Sequence, residues 1–593
     1  MFFRDAAIKR HGASESGQEM ELRRRDAFRL VFGAGAAAMV GLDATPVAAQ
    51  SAPQFLHGVA SGDPLRSRVI IWTRVTPPTN AAVTVSWKVS STADMATIVA
   101  QGQEQADEVR DFTVKVDVAG LQAGGTYWYQ FMAAGVASPV GRTRTLPRSG
   151  QAQPFSLAVF SCSNYVKGYF NAYGEAAKQA DLFGVLHLGD YTYEYGPGGY
   201  QTPALALGLV TEPRSAGLTP PTETVTLAAY RQRLALYRTD PQLQTLHAHC
   251  PWMVVWDDHE STNDAWSGGA ENHTPATEGD WQTRKRAAVR AWFEWMPVRQ
   301  ARTRFDAQGD VQGFYRSFEF GSLARVIMLD TRLAGRDQQL STTQLVQTYG
   351  AYGATGSWGL DMVGGRPRTL LGAAQEAWLD QQLSSSTQTW QIVGNQILVN
   401  YQVAPDFFNA PGITPAEIQQ IVGTIDAIFG AGAGNQFGQL GAAGLPNPEG
   451  TDTWTGYPSA KERLYASLLK AANPVILAGD SHNAWAANLA AGATRVGVEF
   501  GTASVSAPGF EEIFPGFDAA LLEGLVLYSS QAKSPFDKLV WSNLNKRGFI
   551  RLDVSRTAVT ANFVMLSTAF STSYTATTQS FSVAPGAKRI TGT

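Results

Sequence analysis

The sequence predicts a large α/β layered domain preceded by a smaller all-β domain. The chain has 593 residues, more than one hydrophobic core usually supports, so two or more domains are expected. Short runs that alternate apolar and polar residues fill residues 55–146, as half-buried strands do. Beyond residue 150 the pattern changes to apolar runs separated by helical stretches, which is typical of α/β layers.

The N-terminal region carries four strand patterns and one turn motif. The alternating runs lie at residues 69–75, 83–89, 112–118 and 126–131. Leu121 with Gly124-Gly125-Thr126-Tyr127 resembles the tyrosine corner of immunoglobulin-like modules. We therefore predict an immunoglobulin- or fibronectin-like β-sandwich over residues 50–150, with no catalytic role and a boundary in the Gly- and Pro-containing stretch 143–154.

Every apolar run of the larger domain, which we place at residues 151–567, ends in a polar cluster. The runs and their following residues are 155–160 before Ser161 and Cys162, 183–188 before Asp190 and Tyr193, 252–256 before Asp257, Asp258 and His259, 325–329 before Asp330 and Arg332, 391–393 before Asn395, and 474–478 before Asp480 and His482. Since ligands bind beyond the carboxyl ends of strands in open α/β sheets, Asp190 and Tyr193 are placed to hold a metal or a phosphate. An ordinary turn capped by Asp190 is the alternative for that stretch.

Composition excludes some classes of function. The chain is 44% hydrophobic and 16% charged, with a net charge of −3, which argues against a nucleic-acid-binding footprint. Cys162 and Cys250 are its two cysteines, so at most one internal disulfide can form.

Residues 1–49 are predicted to be a targeting segment. Arg23-Arg24-Arg25 precedes a mildly apolar run at residues 30–42, and Val47-Ala48-Ala49 supplies small residues before Gln50, which together resemble a twin-arginine signal. We expect an exported protein, periplasmic or secreted, that uses the twin-arginine translocase. A basic tail without a targeting role is the alternative. No later stretch offers about 18 continuous apolar residues, so no transmembrane anchor is predicted.

The order of the polar clusters indicates a site for two metal ions. Carboxylates and a histidine from separate strand ends supply oxygen and nitrogen donors around one cavity, as two metals about 3.5–4 Å apart require. Oxygen donors together with a phenolate and a thiolate favour ferric iron at one position and a hard divalent ion at the other. Phosphate esters suit such a site, because two cations neutralise phosphoryl oxygens and make a hydroxide nucleophile available.

Eight motifs resemble those of calcineurin-type metallophosphoesterases and, more closely, of PhoD-type alkaline phosphatases and phosphodiesterases. They are Phe55 to Pro64 with Trp72-Thr73-Arg74, Ser161-Cys162, Gly189-Asp190-Tyr191-Thr192-Tyr193-Glu194, Trp256-Asp257-Asp258-His259-Glu260, Leu329-Asp330-Thr331-Arg332, Leu371-Gly372-Ala373-Ala374-Gln375, Trp454-Thr455-Gly456-Tyr457-Pro458, and Ala478-Gly479-Asp480-Ser481-His482. The chain departs from the family pattern in carrying Asp258 before His259 where the family has Asn-His.

The resemblance implies a catalytic domain of two packed sheets flanked by helices and assigns residues to the metals. Cys162, Tyr193 and His482 would ligate ferric iron, and Asp190 would bridge to a second site. Asp258 and Asp480 would complete a divalent site that takes calcium, or another ion such as zinc or manganese. Cys162 stands where related enzymes carry a carboxylate, and a buried structural thiol is its alternative role.

Other polar residues receive weaker predictions. His259 is expected to hydrogen-bond the substrate phosphate or to protonate the leaving alkoxide, with a purely orienting hydrogen bond as the alternative. The catalytic residues are thus Asp190, Asp258 and His259. The amide oxygen of Asn395 is a further possible metal ligand. Arg332 and Arg336 are expected either to clamp phosphate or to form ion pairs.

Several residues and segments are predicted to stay outside the site. Tyr191 and Glu194 receive no ligand role, and the remaining histidines are expected to be structural or solvent-exposed, with His187 hydrogen-bonded in the core. Residues 350–368 and 404–450 are long insertions of the kind that form lids, the second with a short helix at residues 415–429. Residues 548–554 and 558–566 predict a terminal hairpin, and residues 568–593 a partly disordered tail.

The resulting hypothesis is an exported hydrolase of phosphomonoesters and phosphodiesters with a metal-bound hydroxide as nucleophile. Small phosphate esters are the expected substrates, with phospholipid or polymer phosphodiesters as further ones. A phospholipase D-like diesterase on the same scaffold is one alternative. A β-domain that binds a surface, fused to an inactive catalytic scaffold, is the other.

Overall fold

A computed structural model of the chain describes residues 52–299, 313–341 and 367–592, together with positions 311 and 344. The predicted targeting segment, residues 1–49, lies outside the described residues, as do residues 350–366 of the first insertion.

The N-terminal region consists of eight described strands and a short 3-10 helix at Glu108–Arg110. The strands are β1 (Val59–Gly62), β2 (Arg68–Arg74), β3 (Val83–Ser90), β4 (Ile98–Ala106), β5 (Thr113–Ala119), β6 (Thr126–Ala133), β7 (Val136–Ala137) and β8 (Gly141–Arg144). The four predicted strands are therefore confirmed as β2, β3, β5 and β6. The hydroxyl of Tyr127 accepts a hydrogen bond from the backbone N–H of Gln122 at 2.8 Å, the bond that defines a tyrosine corner.

The larger region alternates strands and helices as predicted. Its first half contains β9 (Phe155–Phe160), α1 (Asn171–Ala177), β10 (Gly184–His187), α2 (Pro203–Ala206), α3 (Leu227–Tyr237), α4 (Pro241–His249), β11 (Trp252–Val254), α5 (Pro275–Glu278), α6 (Trp281–Trp295), β12 (Arg316–Phe320) and β13 (Ala324–Met328). Its second half contains α7 (Gly372–Ser384), β14 (Trp390–Gly394), α8 (Pro415–Phe429), α9 (Ala433–Ala442), α10 (Pro458–Leu468), β15 (Pro474–Ala478), β16 (Ala484–Ala491), β17 (Thr494–Gly501), α11 (Phe510–Ile513), α12 (Ala519–Lys533), β18 (Lys538–Asn543), β19 (Arg547–Val554), β20 (Val559–Leu566) and β21 (Ala576–Val583).

Two mixed sheets form the centre of the described structure. One has nine strands in the order β21-β20-β19-β9-β10-β11-β1-β2-β5, and the other has seven in the order β12-β13-β14-β15-β17-β16-β18. Their facing sides share one apolar core, in which Leu157, Leu186 and Ile550 of the first sheet meet Val326, Ile392 and Val475 of the second. The architecture that the motif resemblance implied, two packed sheets, is therefore present.

Helices cover the outer faces of both sheets. On the nine-stranded sheet, Phe160 and Trp252 pack with residues of α1, α3, α4 and α6 such as Tyr173, Leu243 and Trp292. On the seven-stranded sheet, residues of β13, β14 and β15 pack with α7 and α10. Among the described residues, no helix is both long enough and apolar enough to cross a membrane.

The N-terminal strands are divided between two sheets. β3, β4, β6, β7 and β8 form a separate five-stranded sheet, which packs on β2 and β5 through Val85, Tyr129, Ile71 and Val116. β1, β2 and β5, however, continue the nine-stranded sheet, because β1 pairs with β11 in parallel at Gly62 and Trp252. The five-stranded sheet thus packs on strands of a sheet that is shared with the larger region, and a separate immunoglobulin- or fibronectin-like domain stays a prediction.

The C-terminal residues correct one prediction. Residues 568–593 were expected to form a partly disordered tail, but β21 lies within them and pairs antiparallel with β20 over eight residue pairs. Phe581 and Val583 of β21 are buried in the core between the sheets, and this burial explains why the segment is ordered. The hairpin before it is confirmed as β19 and β20.

Candidate metal centre

The parallel strands of the two sheets end at one place. β9, β10 and β11 are parallel in the first sheet, and β13, β14 and β15 are parallel in the second. The loops after these strands carry the residues that the sequence analysis selected, and most of those side chains are buried. Gly189 lets two of the loops approach closely, since a Cβ built there would lie 2.4 Å from the Cβ of Asp257.

Four of the candidate ligands adopt the left-handed backbone conformation that non-glycine residues rarely take. Their φ angles are 62° for Cys162, 54° for Asp190, 60° for Asp480 and 63° for His482. Such strain persists where the surrounding structure imposes it, and it occurs most often at functional sites. The strand ends therefore hold these side chains at a local conformational cost.

The predicted iron ligands lie together. Ligand atoms of Cys162, Asp190 and His482 are within 4.8 Å of one another. The hydroxyl of Tyr193 donates to Asp190 Oδ2 at 3.1 Å and lies 3.1 Å from His482 Nε2. Burial, followed by the charges of Asp190 and Asp480, raises the pKa of the Cys162 thiol well above its usual value. A nearby cation would reverse that effect, because thiolates are stabilised by positive charge.

Carboxylates form a second group that shares Asp190 with the first. Oxygens of Asp190, Asp257, Asp258 and Asp480 lie within 4.8 Å of one another. Two unit charges at that separation repel by about 3.5 kcal/mol at an effective dielectric constant of about 20. Burial, and then the charge of Asp258, raise the pKa of Asp190 well above its usual value. We call these four carboxylates, with Arg332, the strand-end cluster.

Arg332 is fully buried and takes the ion-pair role that the sequence left open. Its guanidinium donates to Asp257, lies 3.2 Å from Asp480 Oδ1 and lies 3.5 Å from Asp258 Oδ1. A fourth carboxylate, Asp452, accepts from its Nη1 at 2.8 Å and 2.9 Å. Arg336 also donates to Asp452. Phosphate clamping by these two arginines therefore has no support in this arrangement.

Two acidic residues of the site were missed by sequence reasoning. Asp452 lies just beyond the insertion at residues 404–450 and follows no strand, so nothing local marks it as a partner of Arg332. Glu260 accepts hydrogen bonds from the backbone N–H groups of Asp190 at 3.0 Å, Tyr191 at 2.6 Å and Asp257 at 2.7 Å. Burial raises the pKa of Glu260 to about 7, although these N–H groups oppose the shift. Glu260 thereby joins the loops after β10 and β11.

His259 is oriented by a carboxylate for which the sequence predicted no ligand role. Its Nδ1 lies 2.7 Å from Glu194 Oε2, and both side chains are fully buried. Its ring also stacks on Tyr193 with the centroids 4.1 Å apart. Among the described residues, His259 Nε2 is buried and has no hydrogen-bond partner, and a ring nitrogen of His259 lies within 4.8 Å of Asp190 and Asp258 oxygens. Glu194 thus leaves Nε2 available toward the strand-end cluster.

His482 and Asn395 differ in their availability to a cation. His482 Nδ1 donates to the carbonyl of Pro508 at 2.6 Å, which leaves Nε2 to face Tyr193 and Asp190. Histidines that bind metals are commonly oriented by such a bond. The amide oxygen of Asn395 already accepts from the indole N–H of Trp454 at 3.0 Å, and its coordination of a cation stays a prediction.

Metal ions fit the residues present. The buried carboxylates outnumber the guanidinium groups that pair with them. His259 Nε2 is, in addition, a buried nitrogen without a hydrogen-bond partner in the described part of the chain. Thiol, phenol, imidazole and carboxylate are a donor set for iron, whereas the carboxylates alone suit a hard divalent ion. Cations would remove the repulsion that the fold otherwise imposes on these groups.

A polar pocket of about 340 Å³ reaches this centre from the surface. Asp480 and His482 line it, with Asn263 and Asn483 as further polar groups and Tyr200 as an aromatic one. Asn447 and Gly450 also line it, so the second insertion contributes to the pocket, and its role as a lid stays a prediction.

His187, one of the histidines predicted to be structural, is hydrogen-bonded in the core. Its Nε2 lies 2.8 Å from the hydroxyl of Tyr173, which confirms the predicted core hydrogen bond.

Comparison with known proteins gives concordant matches. Residues 157–563 match the PhoD-like phosphatase family, and residues 41–147 match the N-terminal domain of PhoD-like phosphatases. Alkaline phosphatase D of Bacillus subtilis (strain 168) is 34% identical over 446 residues, which are 73% of this chain and 65% of that protein. The match thus spans just under two thirds of that curated relative. The solved structure of PhoD is 29% identical, with a TM-score of 0.70, and covers 91% of this chain and 92% of that one.

Proposed function

The chain belongs to the PhoD-like phosphatase family, and from that membership we propose that it is a phosphoesterase that hydrolyses phosphomonoesters and phosphodiesters. The strand-end cluster is the observation that carries this proposal. It gathers three buried carboxylates and the half-buried Asp480 beside a thiol, a phenol and an imidazole at the base of an open pocket. That arrangement suits a phosphoryl group, since cations held there would meet its negative oxygens.

The two donor groups divide between two kinds of ion in this proposal. Cys162, Tyr193 and His482 would hold ferric iron, and Asp190 would bridge to a divalent ion held by Asp258 and Asp480. Calcium is the proposed divalent ion, with zinc and manganese as the outcomes that metal analysis would separate from it. When bound, the ions supply Lewis acidity toward the phosphoryl oxygens and lower the pKa of water.

His259 is proposed as the residue that meets the substrate. Glu194 holds its Nδ1, so a proton carried at Nε2 faces the phosphate or the leaving oxygen. Replacement of His259 by alanine should lower kcat while the metal content stays unchanged. If the metal is lost as well, His259 is a ligand rather than a proton donor.

Export and domain organisation complete the proposal. The paired arginines before residue 30 support a twin-arginine signal over residues 1–49 and a periplasmic or secreted protein. Mass measurement of the protein recovered outside the cytoplasm should give a chain that starts near residue 50, and an uncleaved chain would contradict the assignment. Residues 50–150 are proposed as the N-terminal β-domain of a catalytic domain that ends at residue 567.

The experiment is hydrolysis of 4-nitrophenyl phosphate and bis(4-nitrophenyl) phosphate by the purified full chain supplied with iron and calcium. Both should be hydrolysed, and His482→Ala should abolish the activity. The control is His249→Ala, because His249 is half-buried and its Nε2 binds the carbonyl of Gln179 at 3.0 Å, away from the cluster. Absence of hydrolysis by the metal-supplied protein, or full activity in His482→Ala, would refute the proposal.

A further inference from the structure

A small apolar cavity of about 50 Å³ lies beside the polar pocket. Phenylalanine, isoleucine, leucine and valine side chains line most of it, among them Phe407, Ile421, Ile425, Phe437, Leu525 and Val526. Because water in such a cavity would find few polar partners, an apolar group is the occupant that its lining favours.

The walls of this cavity are held in place by polar contacts outside it. They come from the loop before α8, from α8 and α9, and from α11 and α12. The backbone N–H of Asp406 donates to Ser529 Oγ at 2.8 Å, and Lys533 pairs with Asp406 at 3.3 Å. The loop and α12 are thereby fixed to each other, so the cavity is formed before any ligand arrives.

Four residues line both the cavity and the polar pocket, so the two spaces are adjacent. They are Gln402, Asn447, Trp485 and Phe510. The indole N–H of Trp485 donates to Ser481 Oγ at 2.6 Å, and the backbone N–H of Phe510 donates to Asn483 Oδ1 at 3.3 Å. Ser481 and Asn483 flank His482 in the chain. The cavity therefore begins where the loop that carries Asp480 and His482 ends.

We propose that this cavity binds a short apolar group on the alcohol side of the phosphate ester. The inference rests on the proposed function, because it places the phosphoryl group against Asp480 and His482. From there the alcohol extends past Trp485 and Phe510 into the apolar walls. The second insertion, which supplies α8 and α9, thus sets a preference among esters.

The size of the cavity limits the group that it can take. About 10–15 Å³ of such volume holds one water-sized group, so 50 Å³ accommodates about three to five methylene or methyl groups. Each buried methylene is expected to strengthen binding about fourfold. Affinity should therefore rise along an alkyl series and then become constant at about four carbons.

The test uses n-alkyl phosphates from methyl to octyl as competitive inhibitors of 4-nitrophenyl phosphate or bis(4-nitrophenyl) phosphate hydrolysis by the full, metal-supplied chain. Inhibition constants should fall about fourfold per carbon up to about butyl, with no further change toward octyl. Inhibition constants that are the same from methyl to octyl would overturn the proposal. If neither 4-nitrophenyl phosphate nor bis(4-nitrophenyl) phosphate is hydrolysed, the proposed function itself is refuted.

Two neighbouring leucines of α12 locate the binding site. Leu522 lines the cavity. Leu521 does not line it but packs on the apolar cluster that contains Phe407 and Leu525. In Leu522→Phe the larger ring fills the cavity, and the ratio of the methyl to the butyl inhibition constant should fall to about one. In the control Leu521→Phe that ratio should keep its wild-type value.

A second lining position guards against misfolding of the first variant. Val526→Phe fills the cavity from the next turn of α12 and should abolish the butyl preference in the same way. A butyl preference that survives in both Leu522→Phe and Val526→Phe, with folded protein confirmed by circular dichroism, would place the alkyl group elsewhere and overturn the inference.

Discussion

Two groups of arginines and aspartates differ in their burial and in their balance of charge. The first, which we call the junction cluster, consists of Asp63, Asp117, Arg299 and Arg316, where the N-terminal strands meet the larger region. Asp63 accepts from the backbone N–H of Arg299 and from Nη2 of Arg316, both at 2.7 Å. Asp117 accepts from the guanidinium of Arg299 at 2.9 Å and 3.0 Å. Arg68 also lies 3.1 Å from Asp117, so the two carboxylates meet three guanidinium groups.

The strand-end cluster instead has an excess of carboxylates. Arg332 is surrounded by Asp257, Asp258, Asp480 and Asp452. Asp190 adds a fifth carboxylate, within 4.8 Å of the first three. A buried pair of matched charges is expected to serve structure, while buried like charges require another cation or a proton. The difference teaches that an excess of buried carboxylates, rather than the kind of residue, separates the candidate metal centre from a structural ion-pair cluster.

The largest expected effect is on activity when the shared carboxylate is neutralised. Asp190→Asn keeps the shape of the side chain but removes the charge that both donor groups use. We expect kcat/KM for 4-nitrophenyl phosphate to fall by at least about 10⁴-fold, equivalent to more than about 5 kcal/mol of transition-state stabilisation. Steady-state kinetics and metal content measure this. An Asp190→Asn variant that keeps its metal ions and its activity would show that the strand-end cluster does not need Asp190 for catalysis, which would contradict its proposed function.

The next effect falls on stability and comes from the junction cluster. Asp63→Ala leaves the half-buried Arg316 and the backbone N–H of Arg299 without their carboxylate acceptor, which should cost about 1–3 kcal/mol of unfolding free energy. Urea unfolding measures this loss, and kcat/KM of the folded variant should stay within about twofold of the wild type. The control is Asp94→Ala at an exposed loop position, which should not shift the unfolding midpoint. If Asp63→Ala loses much activity but no stability, the junction cluster is functional rather than structural, which would contradict the contrast between the two clusters.

A smaller effect is expected from the carboxylate that orients His259. Glu194→Gln removes the charge at 2.7 Å from Nδ1 and should lower kcat by about 10- to 100-fold. Glu278→Gln is the matched control, because Glu278 lies 3.1 Å from Nδ1 of His273, outside the strand-end cluster. It should leave kcat within about twofold. Equal effects of the two variants on kcat would show that the Glu194 contact has no special role in activity.

The smallest effect concerns pH and a histidine on the junction side. Burial, followed by the charges of Arg74 and Arg238, lowers the pKa of His57 to about 3. The pKa of His57 in the unfolded chain is about 6.5, so between pH 6.5 and 3 the unfolded chain binds a proton that the folded chain does not. The stability that the neutral, buried imidazole provides is therefore fully present above pH 6.5 and is lost as the pH falls toward 3. In His57→Gln the unfolding free energy should therefore fall less steeply below pH 6.5, by up to about 1.4 kcal/mol per pH unit. An unchanged slope would contradict the burial of a neutral imidazole.

Strands were predictable where apolar runs are continuous. β9 and β15 begin and end at the predicted residues, and α8 spans the predicted helix, where Thr414 and Glu417 form a capping box. β4 was missed because Ile98–Ala106 is mostly polar and exposed, so it lacks an alternating pattern. The pairing of β1 with β11 was also missed, since a single parallel contact between distant segments leaves no trace in either one.

Ligand candidates were predictable because they directly follow those strands. Cys162, Asp190, Asp258, Asp480 and His482 all lie at strand ends, and the structure brings them together. Partners that act across the fold were not predictable. Asp452 reaches Arg332 from 120 residues away, and Glu194 shows its contact with His259 only after two loops have been folded together.

The central claim is that the unbalanced strand-end cluster holds metal ions, and metal analysis of the protein purified from its own host tests it directly. Elemental analysis should find at least two metal ions per chain, one of them iron. A visible absorption band from tyrosinate bound to ferric iron should disappear in Tyr193→Phe. A fully active protein that contains no metal would contradict the account.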